Sequence, residues 1–281
     1  MSKLLLLMVF LLQIDFSGLE IPDLIVGLQH REEAVRNKCV HELERRISSA
    51  ESIPEAECEK LVTGLTSTVK QYAASNTGSY RNAMSACRML GRLGPCAKDA
   101  VPALVFAIDS QSVEATSRRV CVRFCADKAV GEIGPNAKEA ARHLVQLLEN
   151  GAAPRDALEA LGKIGPSAKS AVPFLTKKLS GLHRTNSSID VCANALGRIG
   201  SDAKLAVPIL MEIVRNSSSD GNRADAAKAL GKISESNSSA IELLKEIASD
   251  KFLERKLRHE ASEAVKLISQ RTNAQKGESA R

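Results

Sequence analysis

The sequence predicts an all-α fold, a right-handed α-solenoid of about six helical hairpins with a half-repeat at each end. Three observations predict it. A segment of about 20 residues recurs five times in one frame. Apolar residues fill 44% of the 281 positions while aromatics fill 3%, with no Trp. Within each recurrence the apolar positions keep helical spacing and are rich in alanine, so neighbouring helices meet through small side chains. Strands of a β-sandwich favour aromatic and β-branched residues instead.

The recurrence is read directly. MLGRLGPCAKDAVPALVFAI starts at Met89, AVGEIGPNAKEAARHLVQLL at Ala129, ALGKIGPSAKSAVPFLTKKL at Ala160 and ALGRIGSDAKLAVPILMEIV at Ala195. A fifth copy, ALGKISESNSSAIELLKEIA from Ala229, keeps the frame without the Gly-Pro turn. The leading glycines Gly91, Gly131, Gly162, Gly197 and Gly231 are separated by 40, 31, 35 and 34 residues. A constant frame at variable separation places the insertions in loops between units.

Each element of the unit has a mechanical reason. In the first helix, A, residues Ala157, Ala160, Leu161 and Ile164 follow 3, 4, 7 spacing and make one apolar stripe. Gly162 leaves room for the next backbone, and Gly165 suits the positive φ of a helix stop. Pro166 ends helix A and can open the second helix, B, where its missing N–H costs nothing. Ala171, Val172, Leu175 and Leu179 form the apolar face of B, with Pro173 in its first turns. One hairpin cannot hide these stripes; stacking neighbours buries them, and end units act as caps.

The frame extends both ways. EASEAVKLIS from Glu260 makes a final half-unit, CVHELERRI from Cys39 with KLVTGL from Lys60 makes a divergent hairpin, and IPDLIVGL from Ile21 supplies an earlier second helix. The pattern LG[RK]IGPxAKxAVPxL resembles HEAT-like repeats of the phycobilin-lyase type, closely over residues 80–250 and weakly over 21–79. The resemblance implies a fold; the same repeat serves scaffolds, adaptors and a few enzymes.

The chain is divided into residues 1–18, a secretory signal or a hydrophobic first helix; 19–270, the repeat stack; and 271–281, a disordered tail without apolar periodicity. Lys3 precedes an unbroken apolar run from Leu4 to Leu12, the length of a signal core and too short to span a bilayer. Export, to the periplasm or outside the cell, is therefore preferred to a cytoplasmic location, and no stable membrane span is expected. Asn186-Ser-Ser, Asn216-Ser-Ser and Asn237-Ser-Ser meet the N-glycosylation pattern, though turn chemistry explains them without sugar.

The net charge of +6 and a pI near 8.9 are mild for this length. With few aromatics for base stacking, a nucleic-acid partner is not expected. Seven cysteines without a CxxC pair read as small buried apolar residues, Cys39 and Cys192 standing where other repeats carry alanine, and not as a disulfide or zinc framework.

Two enzyme classes use related repeats. Deoxyhypusine hydroxylase, which RHEASEAV from Arg258 locally resembles, holds two irons through His-Glu pairs at equivalent helix positions. Here those positions carry Asn37-Lys38, Met84-Ser85, Phe124-Cys125, Arg155-Asp156, Asp190-Val191 and Ala224-Asp225, and His41-Glu42 is four positions out of register with His259-Glu260. A phycobilin lyase needs aromatic packing for its tetrapyrrole, and this chain has two Tyr and six Phe. No catalytic residue, metal or cofactor is therefore expected.

Equivalent positions of a stack become columns in space. On helix B the column Ala103, His143, Phe174 and Ile209 runs beside Phe106, Gln146, Lys177 and Glu212; Phe106, His143, Phe174 and Ile209 are the candidate contacts for a protein partner, and the competing reading packs Phe174 and Ile209 inside. Lys98, Lys138, Lys169 and Lys204 form a candidate cationic stripe, either reaching back to the carbonyls that end helix A or open to a polyanion. A second set, Arg92, Lys163, Arg198 and Lys232, is interrupted by Glu132. The function this supports is a non-catalytic protein-interaction scaffold. The alternatives are a chromophore-handling protein of the lyase type and a polyanion binder.

Overall fold

The computed structural model describes residues 16–49, 53–75, 79–109, 117–150, 154–181, 188–234 and 237–279. Among the described residues there is no β-strand, and the all-α repeat architecture expected from the sequence is what they form. The apolar run at the N-terminus and Asn186 lie outside the described residues. The chain divides into two compact units, Met1–His143 and Leu144–Arg281.

In the first unit, α1 (Ile21–Gly27), α2 (Glu33–Ser49), α3 (Glu55–Ser75), α4 (Tyr80–Leu93), α5 (Val101–Asp109) and α6 (Ser117–Ile133) form two layers. The A helices α2, α4 and α6 pack side by side, and the B helices α1, α3 and α5 pack behind them. The division between units falls inside α7 (Ala140–Glu149). In the second unit the A layer is α8 (Pro154–Ile164), α10 (Ile189–Ile199), α12 (Asp220–Ile233) and α14 (Arg255–Ser279). Its B layer contains α9 (Val172–Gly181), α11 (Val207–Asn216) and α13 (Ser238–Ser249).

The stripe and the face expected from sequence are both buried: Ala157, Ala160, Leu161 and Ile164 on α8, and Ala171, Val172, Leu175 and Leu179 at and after the start of α9. Glycine sets the spacing between successive A helices. A Cβ on Gly162 would lie 3.0 Å from the Ala195 Cα, one on Gly197 would lie 3.1 Å from the Ala229 Cα, and one on Gly91 would lie 3.0 Å from the Ala129 Cα. In these three pairs the leading glycine of one repeat seats against the backbone of the next repeat's alanine, which explains why the two residues recur together.

Gly165 turns the chain with φ +69°, and Gly94, Gly134 and Gly200 repeat the conformation at the ends of their A helices. The path from this glycine into helix B differs from expectation. Pro166 opens a 3-10 turn, Gly165–Ala171, and not helix B. The turn breaks at Ala168 (φ −92°, ψ 20°), after which α9 starts at Val172, with Pro173 as its second residue. Two prolines seven residues apart each take a position where an N–H is dispensable. In the fifth copy, which lacks the glycine turn, Ser234 ends α12 and Asn237 caps α13 by accepting from the Ala240 N–H at 3.0 Å.

Two further expectations are corrected. Cys58, on α3, is disulfide-bonded to Cys96 in the turn after α4, with their Cα atoms 6.7 Å apart. The α3 helix packs against the turn of the following repeat, so this pairing depends on stacking, which spacing in the chain does not reveal. Cys39, Cys87, Cys125 and Cys192 are buried as expected, but Cys121 is exposed. Burial pushes the Cys39 thiol up to about 11 and that of Cys192 to about 12. Helix α14 runs on to Ser279 through the segment expected to be a disordered tail. Arg271 anchors the extension, its Nη1 donating to the Lys232 carbonyl at 2.6 Å, and the Thr272 hydroxyl donates to the Ile268 carbonyl at 3.0 Å.

Candidate protein-docking surfaces

The four candidate contact residues divide between the units. In the first, Phe106 on α5 is 47% exposed, while Ala103 one turn earlier is buried. His143 on α7 is half-buried and its Nδ1 lies 2.9 Å from Asp109 Oδ2, tying it to the end of the helix that carries Phe106. In the second unit, Phe174 on α9 and Ile209 on the neighbouring α11 are half-buried, so each keeps an edge in solvent while packing inward. The Lys178 ammonium sits 5.9 Å from the Phe174 ring centroid, within cation–π range.

The lysines are displaced from the position expected of them. Lys98, Lys169 and Lys204 lie inside the 3-10 turns and Lys138 just beyond one, before helix B begins. All four are exposed. Their backbone carbonyls are used structurally: those of Lys98, Lys169 and Lys204 accept the N–H groups of Val101, Val172 and Val207.

The second cationic set has a placement that spacing did not reveal. Arg198 Cδ lies 3.6 Å from where a Gly162 Cβ would stand, and Lys232 Cδ lies 3.5 Å from the corresponding point at Gly197. Each aliphatic stem therefore lies across the glycine of the preceding unit and carries its charge beyond it. In the first unit the Arg92 guanidinium donates to the Ser48 hydroxyl. In the second, Arg198, Lys232 and Arg271 line a groove of about 720 Å³ with Asp202, Leu267 and Ala274.

The first unit holds a smaller cavity of about 330 Å³ lined by residues including Gln29, His30, Arg36, Thr68 and Asn82. It is internally bonded: Gln29 Nε2 donates to Thr68 Oγ1 at 3.1 Å, and Arg36 Nη1 donates to the carbonyls of His30 and Arg31 at 2.6 and 2.7 Å.

The two His-Glu pairs lie elsewhere. His259 is exposed on α14 beside half-buried Glu260. His41 is exposed, whereas Glu42 is buried and accepts from Arg45 at 2.8 and 2.6 Å and from Arg46 at 2.7 Å. These hydrogen bonds, that of Arg45 first, hold its carboxyl down at about 2. Among the described residues no group of three or more His, Cys, Asp or Glu side chains is placed to hold a metal ion, and no helix is long and apolar enough to cross a membrane.

No protein-family model matches the chain. Nor does any curated protein. Among solved structures, the chain is similar to one titled "Crystal structure of Kap121p", at 14% identity and a TM-score of 0.43, over 90% of this chain and 34% of that one. The chain thus spans about a third of that protein's length. The helical-repeat fold rests on the packing of its own A and B layers.

Proposed function

We propose that this protein is an exported, non-catalytic scaffold that holds another protein through the B-helix side chains Phe106, His143, Phe174 and Ile209. The observation that carries the reading is Phe106: a large aromatic nearly half exposed on a helix whose other large apolar side chains, Leu104 and Ile108, are fully buried. An apolar ring left in water on a rigid helix is an anchor in search of a pocket. Export is supported by the Cys58–Cys96 disulfide, a bond that persists in oxidising compartments and is rare in the cytosol. The division into a leader over residues 1–18 and a repeat stack from residue 19 belongs to this reading.

The test pairs two measurements. The purified full chain and a Phe106→Glu/Phe174→Glu variant are used to capture proteins from the producing organism's extracytoplasmic fraction. A partner recovered in stoichiometric amount by the wild type and lost from the folded variant is expected; equal recovery removes the proposed contact residues. Mass spectrometry of the mature N-terminus is expected to show cleavage near Gly18, and an intact Met1 in the mature protein would remove export.

A further inference from the structure

The groove in the second unit exists because α14 is longer than the other A helices. In register, Ile268 of α14 corresponds to Ile233 and Ile199, where α12 and α10 end. The chain does not turn there but continues as helix through residues 269–279. That extension forms a wall beside the turn after α10; Arg271 and Ala274 line the groove from it, and Leu267 from the turn of α14 just before it.

Three cations and one carboxylate, exposed Asp202, line the groove. Arg198 and Lys232 each stand in the last turn of their A helix, where one cation complements the helix dipole. Arg271 uses its Nη1 on the Lys232 carbonyl at the end of α12, and a guanidinium carries further N–H donors beyond that one. The crowding of the cations is felt at Lys232: burial, and then the charges of Lys228, Arg198 and Arg271, push its ammonium below the ordinary value. The lining is also apolar, with Pro166, Ile199, Leu267 and Ala274.

We propose that this groove takes an acidic peptide segment of a protein partner, its carboxylates on Arg198, Lys232 and Arg271 and an apolar side chain against Leu267 and Ala274. The charge excess calls for an anion, and the volume lies in the range of ligand sites. The apolar wall selects a peptide over a sulfated polysaccharide, which has no apolar side chain to place there. The inference rests on the scaffold reading and names the chemistry of the partner.

The experiment uses the full chain and a fluorescein-labelled decapeptide alternating Glu and Leu, followed by fluorescence anisotropy. The same peptide with Gln for Glu is expected to bind at least about tenfold more weakly, given the strength of hydrogen bonds to charged groups. Arg198→Gln/Lys232→Gln is expected to weaken the acidic peptide by about the same factor, and Lys169→Gln/Lys204→Gln to leave it unchanged. Ala274→Glu, an exposed change that adds a like charge to the wall, tests the site without touching a cation and should also weaken binding. Equal binding of the Gln peptide, equal loss in both double variants, no effect of Ala274→Glu in the folded protein, or displacement of the peptide by a heparin decasaccharide that itself needs Arg198 and Lys232 would each overturn the proposal. Failure here with a discriminating Phe106/Phe174 capture removes the groove alone; peptide binding with no captured partner removes the scaffold assignment of those phenylalanines.

Discussion

Replacing a helical glycine by alanine ordinarily strengthens a helix by about 1 kcal/mol. At Gly162 the geometry reverses the sign. The new Cβ would stand 3.0 Å from the Ala195 Cα and 3.4 Å from its Cβ, and the nearest atom is backbone that cannot rotate away. Overpacking of this kind costs about 1–3 kcal/mol. Set against the propensity gain, Gly162→Ala should destabilise by about 1 kcal/mol, lowering Tm by about 2–4 °C. Gly231→Ala should cost more, because its Cβ would meet the Ala264 Cβ and Cα at 2.6 and 2.7 Å. Gly181, at the end of α9 with nothing within 4 Å, is the control and should be neutral or stabilised. Urea unfolding followed by circular dichroism at 222 nm reads all three. A Gly162→Ala protein as stable as Gly181→Ala would refute the claim that these glycines set the distance between A helices.

Three more outcomes rest on particular residues. Gly165→Ala, at φ +69°, should lose about 1–2 kcal/mol through strain alone, and a melting temperature within error of wild type would count against the glycine turn. The Cys58–Cys96 bond closes a loop over a sequence separation of 38, worth about 4 kcal/mol on a chain-entropy account; a linked tryptic peptide should be found without reductant, and Cys96→Ser should unfold at clearly lower urea. Glu42 has its carboxyl depressed from 4.5 to about 2, so its contribution is complete above pH 4.5 and is lost as pH falls towards 2. The stability gap between wild type and Glu42→Gln should therefore be present at pH 7 and close on acidification, and a gap that widens would contradict the assignment.

Much of the fold was legible because its causes are local. Positive φ at Gly165 and close approach at Gly162 are demands that only glycine meets cheaply, and their recurrence exposes the repeat. The 3-10 turn was hidden, because Pro166 and Pro173 each suit a helix start and sequence does not say which one begins the α-helix. The Cys58–Cys96 pairing depends on how one unit's B helix meets the next unit's turn. The α14 extension is not legible because residues 271–279 have no apolar periodicity; the Arg271 bond to the Lys232 carbonyl, which no pattern announces, anchors it. The site was legible in part. Phe106, named from its place on helix B, is exposed, whereas the groove of Arg198, Lys232 and Arg271 joins two repeats to a helical extension that runs past the end of the repeat frame.

The dependence of each hairpin on its neighbour is tested most directly by deleting residues 255–281 and following amide hydrogen exchange. Without α14, α12 loses the helix it packs against, and buried Gly231 loses the Ala264 backbone it faces. Exchange should accelerate strongly in α12 and α13 and progressively less in α10 and α8. Uniform acceleration across residues 144–254, or undiminished protection of α12, would contradict it.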